Sequence, residues 1–382
     1  MSNSEPAAVS VSNGETCQSL PYKNVHPRKA ERLVWIDLIR VICVFVVVAA
    51  HIVTYRNVPP GGIPDSFWWF TNFFDTFCYV AVPLFFMISG YLILGKPNSL
   101  KHGYVKRLLK IGIPLLAWSI IYLVCARITG IDRVEEPVNL YNGIRRILTG
   151  QVVSHLWFLY AILSLYIAAP ILHSYLKSAS RENIIYFLLL WGCACFLYPI
   201  LCDLLKISFD IDHVEFKFAL VGMHVGYFVA GYFFGHQTIN TRVCIMCLVS
   251  FLMIALTTTW IGFLIPSSMY EGNFRPILTG YLTLPLALMA FIVLKYFGET
   301  QFYRQSPLSA RVSRFASLSF GIYLVHVLVL HALKQGIGGF SLTIQTFDPW
   351  FSLPLTAGAA FLLSALIVWL LKKIPLVHWI LP

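Results

Sequence analysis

The chain has 382 residues, of which 58% are hydrophobic and only 12% are charged, and its formal net charge is +11. Soluble domains carry about a quarter charged residues, so this composition excludes a soluble globular protein and requires lipid around most of the surface. The positive charge does not indicate nucleic-acid binding, because the basic residues stand between apolar runs and not on one soluble face.

Residues 1–32 differ from the rest of the chain. They are polar, rich in Ser, Asn and Pro, and contain no apolar core followed by a small-residue cleavage site. A signal peptide is therefore not predicted, and we expect a disordered cytosolic tail. Residues 33–382 are expected to form one membrane domain.

Apolar runs follow one another from residue 33 onwards. Each is long enough to cross about 30 Å of hydrocarbon as a helix. The sequence therefore predicts an all-α, polytopic integral membrane protein with about ten transmembrane helices, with 129–154 as its longest loop. The predicted spans are 33–55, 70–95, 108–128, 155–173, 184–203, 216–235, 242–263, 277–297, 314–333 and 351–371.

Lys and Arg are distributed unequally between the two sets of connections. With a cytosolic N-terminus, eighteen of the 28 Lys and Arg residues fall inside and nine outside, while Arg40 lies within a span. Cytoplasmic loops are enriched in Lys and Arg, so both termini are predicted to be cytosolic. We find no repeat of fixed period, which weakens the interpretation as a transporter built from inverted repeats.

Most of the nine cysteines lie within apolar runs, where a free cysteine behaves as a small hydrophobic residue. The spacing Cys244-x-x-Cys247 is typical of zinc ligands, but no second Cys pair or His pair follows it. We expect no metal site.

The first predicted span contains three ionisable residues, Asp37, Arg40 and His51. Such groups are costly inside a membrane and usually face a cavity or a partner. Arg40 and His51 are eleven residues apart, which is nearly three whole helical turns, so they face the same side about 16 Å apart. They either line a polar channel, or Arg40 extends to the inner interface while His51 caps the outer end.

Histidines also occur at matching depths in other spans. His155 opens the fourth span, His224 lies in the outer half of the sixth, and His326 lies near the middle of the ninth. A single buried histidine is more often a packing residue than a functional one. Convergence of several on one cavity would indicate function, and the sequence alone does not show it.

Two further patterns leave alternatives open. Pro83 and the pair Ser89-Gly90 in the second span indicate either a kink that widens a cavity or close packing against a neighbouring helix. Arg107 and Lys110, which can share one helix face, form either an ordinary cytosolic anchor or a clamp for a phosphate group.

In their order and spacing, these features resemble the membrane acyltransferase-3 family, from residue 33 to about residue 335. Within it, the chain is most similar to stand-alone O-acetyltransferases of the enterobacterial common antigen type. The resemblance rests on Asp37-Leu-Ile-Arg40 followed after ten residues by His51, Pro83-Leu-Phe-Phe-Met-Ile-Ser-Gly-Tyr-Leu92, Lys106-Arg107-Leu-Leu-Lys110, His155-Leu-Trp-Phe-Leu159, Val229-Ala-Gly-Tyr-Phe-Phe-Gly235 and Ser319-Phe-Gly-Ile-Tyr-Leu-Val-His326.

The resemblance implies a multi-pass enzyme of the bacterial plasma (inner) membrane. Such an enzyme transfers an acyl group, usually acetyl from acetyl-CoA, to a hydroxyl of a surface polysaccharide or lipid-linked sugar. Because we expect no fused extracytoplasmic domain after the last span, the chain would transfer the group directly or pass it to a separate periplasmic partner. The alternatives are a transporter or exporter, an acyltransferase acting on an amine or amino acid, and a non-enzymatic partner of a glycan synthase.

The resemblance also implies roles for individual residues. The family's essential Arg and His correspond to Arg40 and His51, with His51 as base or transient acyl carrier. The family's Arg-x-x-Arg corresponds to Arg107 and Lys110, where the lysine keeps the charge but loses the bidentate fork. The residues expected to contact CoA phosphates are Arg40, Arg107 and Lys110, and the candidates for substrate binding, oxyanion stabilisation or support are Asp37, His155, Trp157, Tyr323 and His326.

Overall fold

The regular elements of the chain, in a computed structural model, are helices. No strand occurs in the described residues, which agrees with the predicted all-α class. The predicted tail, residues 1–32, lies outside the described part and stays a prediction. The structure describes residues 33–53, 60–95, 104–129, 139–198, 200–201, 219–264, 274–336 and 341–381.

The helices are numbered here in chain order. A 3-10 turn, Ser154–Leu156, leads into α6, and a π-helical turn, Cys193–Leu197, follows α7. The α-helices are α1 (Val34–Ala50), α2 (Asp65–Cys78), α3 (Ala81–Leu94), α4 (Val105–Thr129), α5 (Leu140–Thr149), α6 (Trp157–Ser178), α7 (Arg181–Gly192), α8 (Ala219–Gly235), α9 (Thr241–Leu264), α10 (Phe274–Glu299), α11 (Gln301–Arg304), α12 (Pro307–Ala316), α13 (Ser319–Gln335) and α14 (Pro349–Leu371).

Six helical segments of the described residues are long and apolar enough to cross a membrane, and a seventh is added if α12 and α13, bent by 66°, form one span. The chain is thus a multi-pass membrane protein. The other three predicted spans coincide with α1, α7 and α8, which have 17, 12 and 17 residues. The predicted total of about ten and the cytosolic termini remain predictions. The six segments are Asp65–Leu94, Val105–Thr129, Ser154–Ser178, Thr241–Leu264, Leu282–Glu299 and Pro349–Leu371.

Two sequence predictions need correction. The connection 129–154 is not simply a loop, because it contains α5, which is capped by Asn139 and by Gly150 in the left-handed conformation. The predicted span 314–333 is divided between the end of α12 and α13, which count as one span only if the bent pair is taken together. Helices α5 and α12 each begin with a polar capping side chain, Asn139 and Ser306 respectively. A search for long apolar runs does not detect this signal.

Helix α1 occupies the interior of the bundle. Its side chains at Ile39, Val44 and Val48 are fully buried, and it contacts α3, α10, α12, α13 and α14. A helix that is apolar all round is expected to be surrounded by protein or lipid. The surroundings of α1 are protein, so its ionisable side chains extend from a helix at the centre of the bundle.

Close packing of α3 against α8 supports this interior. A Cβ added to Gly90 would lie 1.8 Å from the carbonyl oxygen of Phe228, and one added to Gly231 would lie 1.9 Å from that of Met87. Two helices approach this closely only where glycines face each other's backbone. Gly90 therefore serves helix packing, while Pro83 follows the break between α2 and α3, where its ring disfavours continuation of the preceding helix.

Candidate functional site

His51 ends α1 with a defined ring orientation. Its Nδ1 lies 2.8 Å from the carbonyl oxygen of Val47, one turn earlier. Because a carbonyl oxygen only accepts hydrogen bonds, Nδ1 carries the proton of the neutral ring, and Nε2 is the atom able to accept one. The residue is exposed at the wall of a cavity. The ring of His51 therefore reaches the cavity wall with Nε2 as its proton-accepting nitrogen.

Three histidines from distant parts of the sequence converge at this point. The ring centroids of His51 and His326 are 4.9 Å apart, those of His155 and His326 are 5.2 Å apart, and those of His51 and His155 are 6.1 Å apart. They come from the end of α1, the turn before α6 and the middle of α13. The convergence that would distinguish function from packing is thus present.

The two buried members of this group have polar atoms that the described protein does not satisfy. His326 donates from Nδ1 to the carbonyl oxygen of Tyr323 at 2.6 Å. Within the described part of the chain, Nε2 of His326 and both ring nitrogens of His155 have no hydrogen-bond partner. Buried polar atoms are nearly always paired, so such atoms point to a bound ligand or water.

Two tyrosines hold the histidines in place. The Tyr323 hydroxyl donates to the backbone oxygen of His155, and the Tyr122 hydroxyl donates to that of Leu324 at 2.7 Å. The ring of Tyr122 also packs edge-on against His155, with centroids 5.0 Å apart. These contacts tie the start of α6 to α13 and α4, so the imidazoles sit on fixed backbone.

A partly open cavity of about 790 Å³ begins at this histidine group. His51, His155, Trp157 and Tyr323 line it, whereas His326 lies behind them. Among the described lining residues, Asp75 is the one carboxylate, and its side chain is buried. A concave, largely aromatic space with a few converging polar groups is the usual form of a small-molecule site.

A second group of predicted residues lies towards the other end of α1. Arg40 is 3.9 Å from Asp37, and Asp37 accepts a hydrogen bond from the Ser313 hydroxyl at 2.7 Å. Arg40 and Arg107 both act electrostatically on the Tyr166 hydroxyl. Asp37 is thus held by α12 and placed beside Arg40, and Arg107 approaches the same region from α4.

Lys110 stands apart from this group. Arg107 is half-buried, with its guanidinium 5.9 Å from the centroid of the Tyr104 ring, whereas the Lys110 side chain is exposed on α4. Of the two residues predicted to form a phosphate clamp on α4, Arg107 is therefore the one that shares an electrostatic partner, Tyr166, with Arg40.

The distance between the histidine group and the Arg40 group follows from the residue spacing along α1 and α6, which run in opposite directions. His51 and Arg40 are eleven residues apart on α1, and His155 and Tyr166 are eleven residues apart along α6 and the turn before it. The rings of His51 and His155 lie side by side, and Arg40 lies within electrostatic range of Tyr166. The rise of about 1.5 Å per residue therefore separates the two groups by about 16 Å along the helices. Arg40 is not among the residues lining the histidine cavity, so the expected single polar interior is seen only in part.

Sequence reasoning did not single out several residues of these groups. Asp75 lies in a predicted span, where any carboxylate is a functional candidate by default, so the signal existed and was not used. Tyr122, Tyr166 and Ser313 gave no signal, because tyrosine and serine are common in membrane helices and only the packing reveals their partners.

The described residues contain no group of three or more His, Cys, Asp or Glu side chains that could hold a metal ion. The three imidazoles instead meet edge to face, with interplanar angles of 75–90°.

Comparison with known proteins assigns the chain to a family. The family model described as an acyltransferase domain, of the acyltransferase-3 type, matches residues 33–371. This match covers all of the helices that form the two groups. No curated protein and no solved structure matches the chain significantly. The chain belongs to the acyltransferase-3 family.

Proposed function

We propose that this acyltransferase moves an acetyl group from cytosolic acetyl-CoA to a hydroxyl of a cell-envelope glycan or lipid-linked sugar, in the bacterial inner membrane. The observation that carries the proposal is the meeting of His51, His155 and His326, of which the first two line one cavity and Nε2 of His51 is the proton-accepting nitrogen. Membership of the family supports acyl transfer. The glycan acceptor is proposed from the resemblance of the sequence to stand-alone O-acetyltransferases.

In the proposed reaction, His51 Nε2 removes the proton from the acceptor hydroxyl as its oxygen attacks the thioester carbonyl carbon. The carbon–sulfur bond of the tetrahedral intermediate then breaks, and the CoA sulfur takes the proton back from His51. A ring N–H of His155, whose two ring nitrogens are buried without described partners, is the candidate donor to the oxyanion, while Nε2 of His326 is unprotonated and can only accept a hydrogen bond. His51 acting as an acyl carrier remains the alternative, with the same reactants and products.

Arg40 and Arg107 are proposed to bind the CoA phosphates. Arginine binds phosphate through paired N–H groups, and the contact of Asp37 with Ser313 holds Asp37 beside Arg40. Lys110, exposed on α4, would attract the nucleotide before it reaches the arginines. The extended pantetheine arm would then cover the distance to His51, which brings the thioester and the acceptor together.

The acceptor is proposed to occupy the cavity. Trp157 and Tyr323 offer ring faces or edges to a sugar, and the Asp75 carboxylate accepts hydrogen bonds from hydroxyl groups. Direct transfer needs no second protein, whereas a periplasmic partner would take the acetyl group from the same cavity.

The same carboxylate supports a second candidate, acyl transfer to an amine. A buried Asp75 within aromatic walls would also hold a cationic ammonium group. Purified protein in detergent is supplied with acetyl-CoA and either a lipid-linked sugar or an amine, and CoA release is measured. CoA release that requires the sugar supports O-acetylation, and release that requires the amine supports the second candidate. CoA release that neither acceptor increases contradicts both. Loss of an acetyl ester from surface glycans of a deletion strain, detected by mass spectrometry, would then identify the acceptor.

A further inference from the structure

Helix α5 is a locally encoded element between two membrane-spanning helices. The Asn139 side chain accepts a hydrogen bond from the backbone N–H of Asn142, and Gly150 (φ 73°) closes the other end through bonds to the oxygens of Arg146 and Ile147. Capping of both ends stabilises a short helix by satisfying its orphan backbone groups. The separation of apolar and polar residues on α5 is therefore a property of a stable helix.

One side of α5 rests on the bundle. A Cβ added to Gly143 would lie 3.7 Å from Leu123 of α4, and the Tyr160 hydroxyl of α6 donates to the Ile147 carbonyl oxygen at 2.5 Å. Tyr160 stands one turn after Trp157, which lines the cavity. Helix α5 is thus fixed to the bundle beside the histidine cavity.

A second side of α5 is apolar and not covered by the described protein. Its residues are 50–82% exposed, although a leucine-rich face in water is unfavourable. At 100° per residue they fall within an arc of about 100° next to the side that contacts the bundle. They are Leu140, Tyr141, Ile144 and Leu148.

The third side of α5 is polar. Arg145 and Thr149 are exposed there, and Asn142 and Arg146 lie on the same side of the helical wheel. A helix with one face on protein, one apolar face open and one basic polar face has the distribution expected of a helix lying in a membrane surface.

The apolar face of α5 continues a face that meets lipid. On α4, every fourth residue of the half that approaches α5 is 53–76% exposed, and α4 is one of the candidate membrane spans. Such a stripe on a spanning helix contacts acyl chains. The stripe consists of Leu116, Ile120, Val124 and Ile128.

We infer that α5 lies in the plane of the membrane, with its apolar face in the boundary between headgroups and acyl chains and its arginines among the lipid phosphates. The occupant of the open face is the phospholipid bilayer. This position sets the level of the membrane surface beside the cavity. A lipid-linked acceptor could then enter with its lipid still in the bilayer, a consequence that rests on the proposed function.

A photocross-linking experiment tests the position of α5. A benzophenone amino acid replaces Leu148 on the apolar face or, in the control, Thr149 on the polar face, and each protein is placed in nanodiscs of phosphatidylethanolamine and phosphatidylglycerol. Because the two exposed positions are adjacent on one helix, they share expression, folding and distance from the bundle.

After irradiation, mass spectrometry counts phospholipid adducts on the intact chain. We expect several-fold more adduct from position 148 than from position 149. Equal yields at the two positions would overturn the inference, and so would cross-linking of position 148 to a second copy of the chain in place of lipid. Neither result depends on acyl transfer, so this test and that of the proposed function fail separately.

Discussion

At the scale of single residues, His51 has the most direct expected effect. Its Nδ1 is committed to Val47, so replacement by alanine removes the proton-accepting Nε2 while the cavity stays open. General base catalysis contributes about 10²–10⁴-fold to a rate. We expect His51→Ala to lower acetyl-CoA-dependent CoA release by about 10²-fold or more, with acetyl-CoA binding retained.

The matched control for His51 is His331→Ala. His331 is on α13, as His326 is, but has none of the described ring contacts of the histidine group. CoA release should be near normal in this variant. Normal release by His51→Ala protein, at equal amounts in the membrane, would remove the proposed role of His51.

Arg40 is expected to act on binding and not on the chemical step. Hydrogen bonds to charged groups are worth about 1.5–3 kcal/mol, so Arg40→Ala should raise the KM for acetyl-CoA by about ten- to a hundredfold. Arg40→Lys keeps the charge and should recover part of the loss, and Ser313→Ala, which removes one hydrogen bond to Asp37, should give a smaller rise.

Steady-state kinetics in detergent separate the two parameters for these variants. Arg127→Ala, at the other end of α4, is the charge-matched control. An unchanged KM together with a reduced kcat in Arg40→Ala protein would place Arg40 in the chemical step and contradict its assignment to phosphate.

Asp75 is expected to affect the acceptor. Asp75→Asn keeps the size of the side chain but replaces one acceptor oxygen by an amide donor, so the KM for a lipid-linked sugar should rise while that for acetyl-CoA stays unchanged. The neighbouring buried Thr76→Val tests for a general disturbance of α2. Equal effects of Asp75→Asn on both substrates would argue against an acceptor site.

At the scale of helices, the contact of α3 with α8 leads to a prediction about stability. A Cβ at Gly231 would meet the backbone of Met87 at 1.9 Å, and backbone cannot rotate away as a side chain can. Overpacking usually costs about 1–3 kcal/mol, so Gly231→Ala should lower the melting temperature in detergent by several degrees.

Gly358→Ala provides the control for this prediction. Gly358 lies within α14, and a Cβ added there would meet nothing within 4 Å. Alanine is favoured over glycine in a helix, so this variant should melt at the same temperature or slightly higher. If the two variants behaved alike, the close approach of α3 and α8 would be in doubt.

Helices were predictable from sequence where long apolar runs specify them, and less so elsewhere. The runs at 70–95 and 351–371 match Asp65–Leu94 and Pro349–Leu371 closely. Helix α5 was predicted as loop because the search for membrane-length runs passes over ten residues with alternating faces. The break between α12 and α13 falls inside the predicted span 314–333, and both helices contact α1, a tertiary feature that the apolar pattern does not record.

At the scale of the whole molecule, the sequence alone predicts the relation of Arg40 to His51 but not the meeting of the three histidines. The spacing of Arg40 and His51 placed two groups on one face of α1, and local periodicity is sufficient for that inference. The meeting of His51 with His155 and His326 joins residues more than a hundred positions apart. Such contacts arise from tertiary packing, so they required the structure.

The arrangement of the two groups at opposite ends of α1 predicts that acetyl-CoA reaches the enzyme from one side of the membrane. Arg40 lies about 16 Å along α1 from His51, and the excess of Lys and Arg on one side predicts that the Arg40 end faces the cytosol. Acetyl-CoA is highly charged and does not cross a bilayer, so it should reach the arginines from that side only.

Proteoliposomes test this sidedness directly. The chain is reconstituted with a protease-cleavable tag at its N-terminus, and the fraction of tags accessible from outside gives the share of molecules with that orientation. With acetyl-CoA added outside only, CoA release should be proportional to the accessible fraction, and detergent should restore the remainder. Release that instead follows the inaccessible fraction would invert the predicted topology. Release independent of orientation would mean that acetyl-CoA reaches the reacting groups from either side, and the separate phosphate site at the Arg40 end would then have to be abandoned.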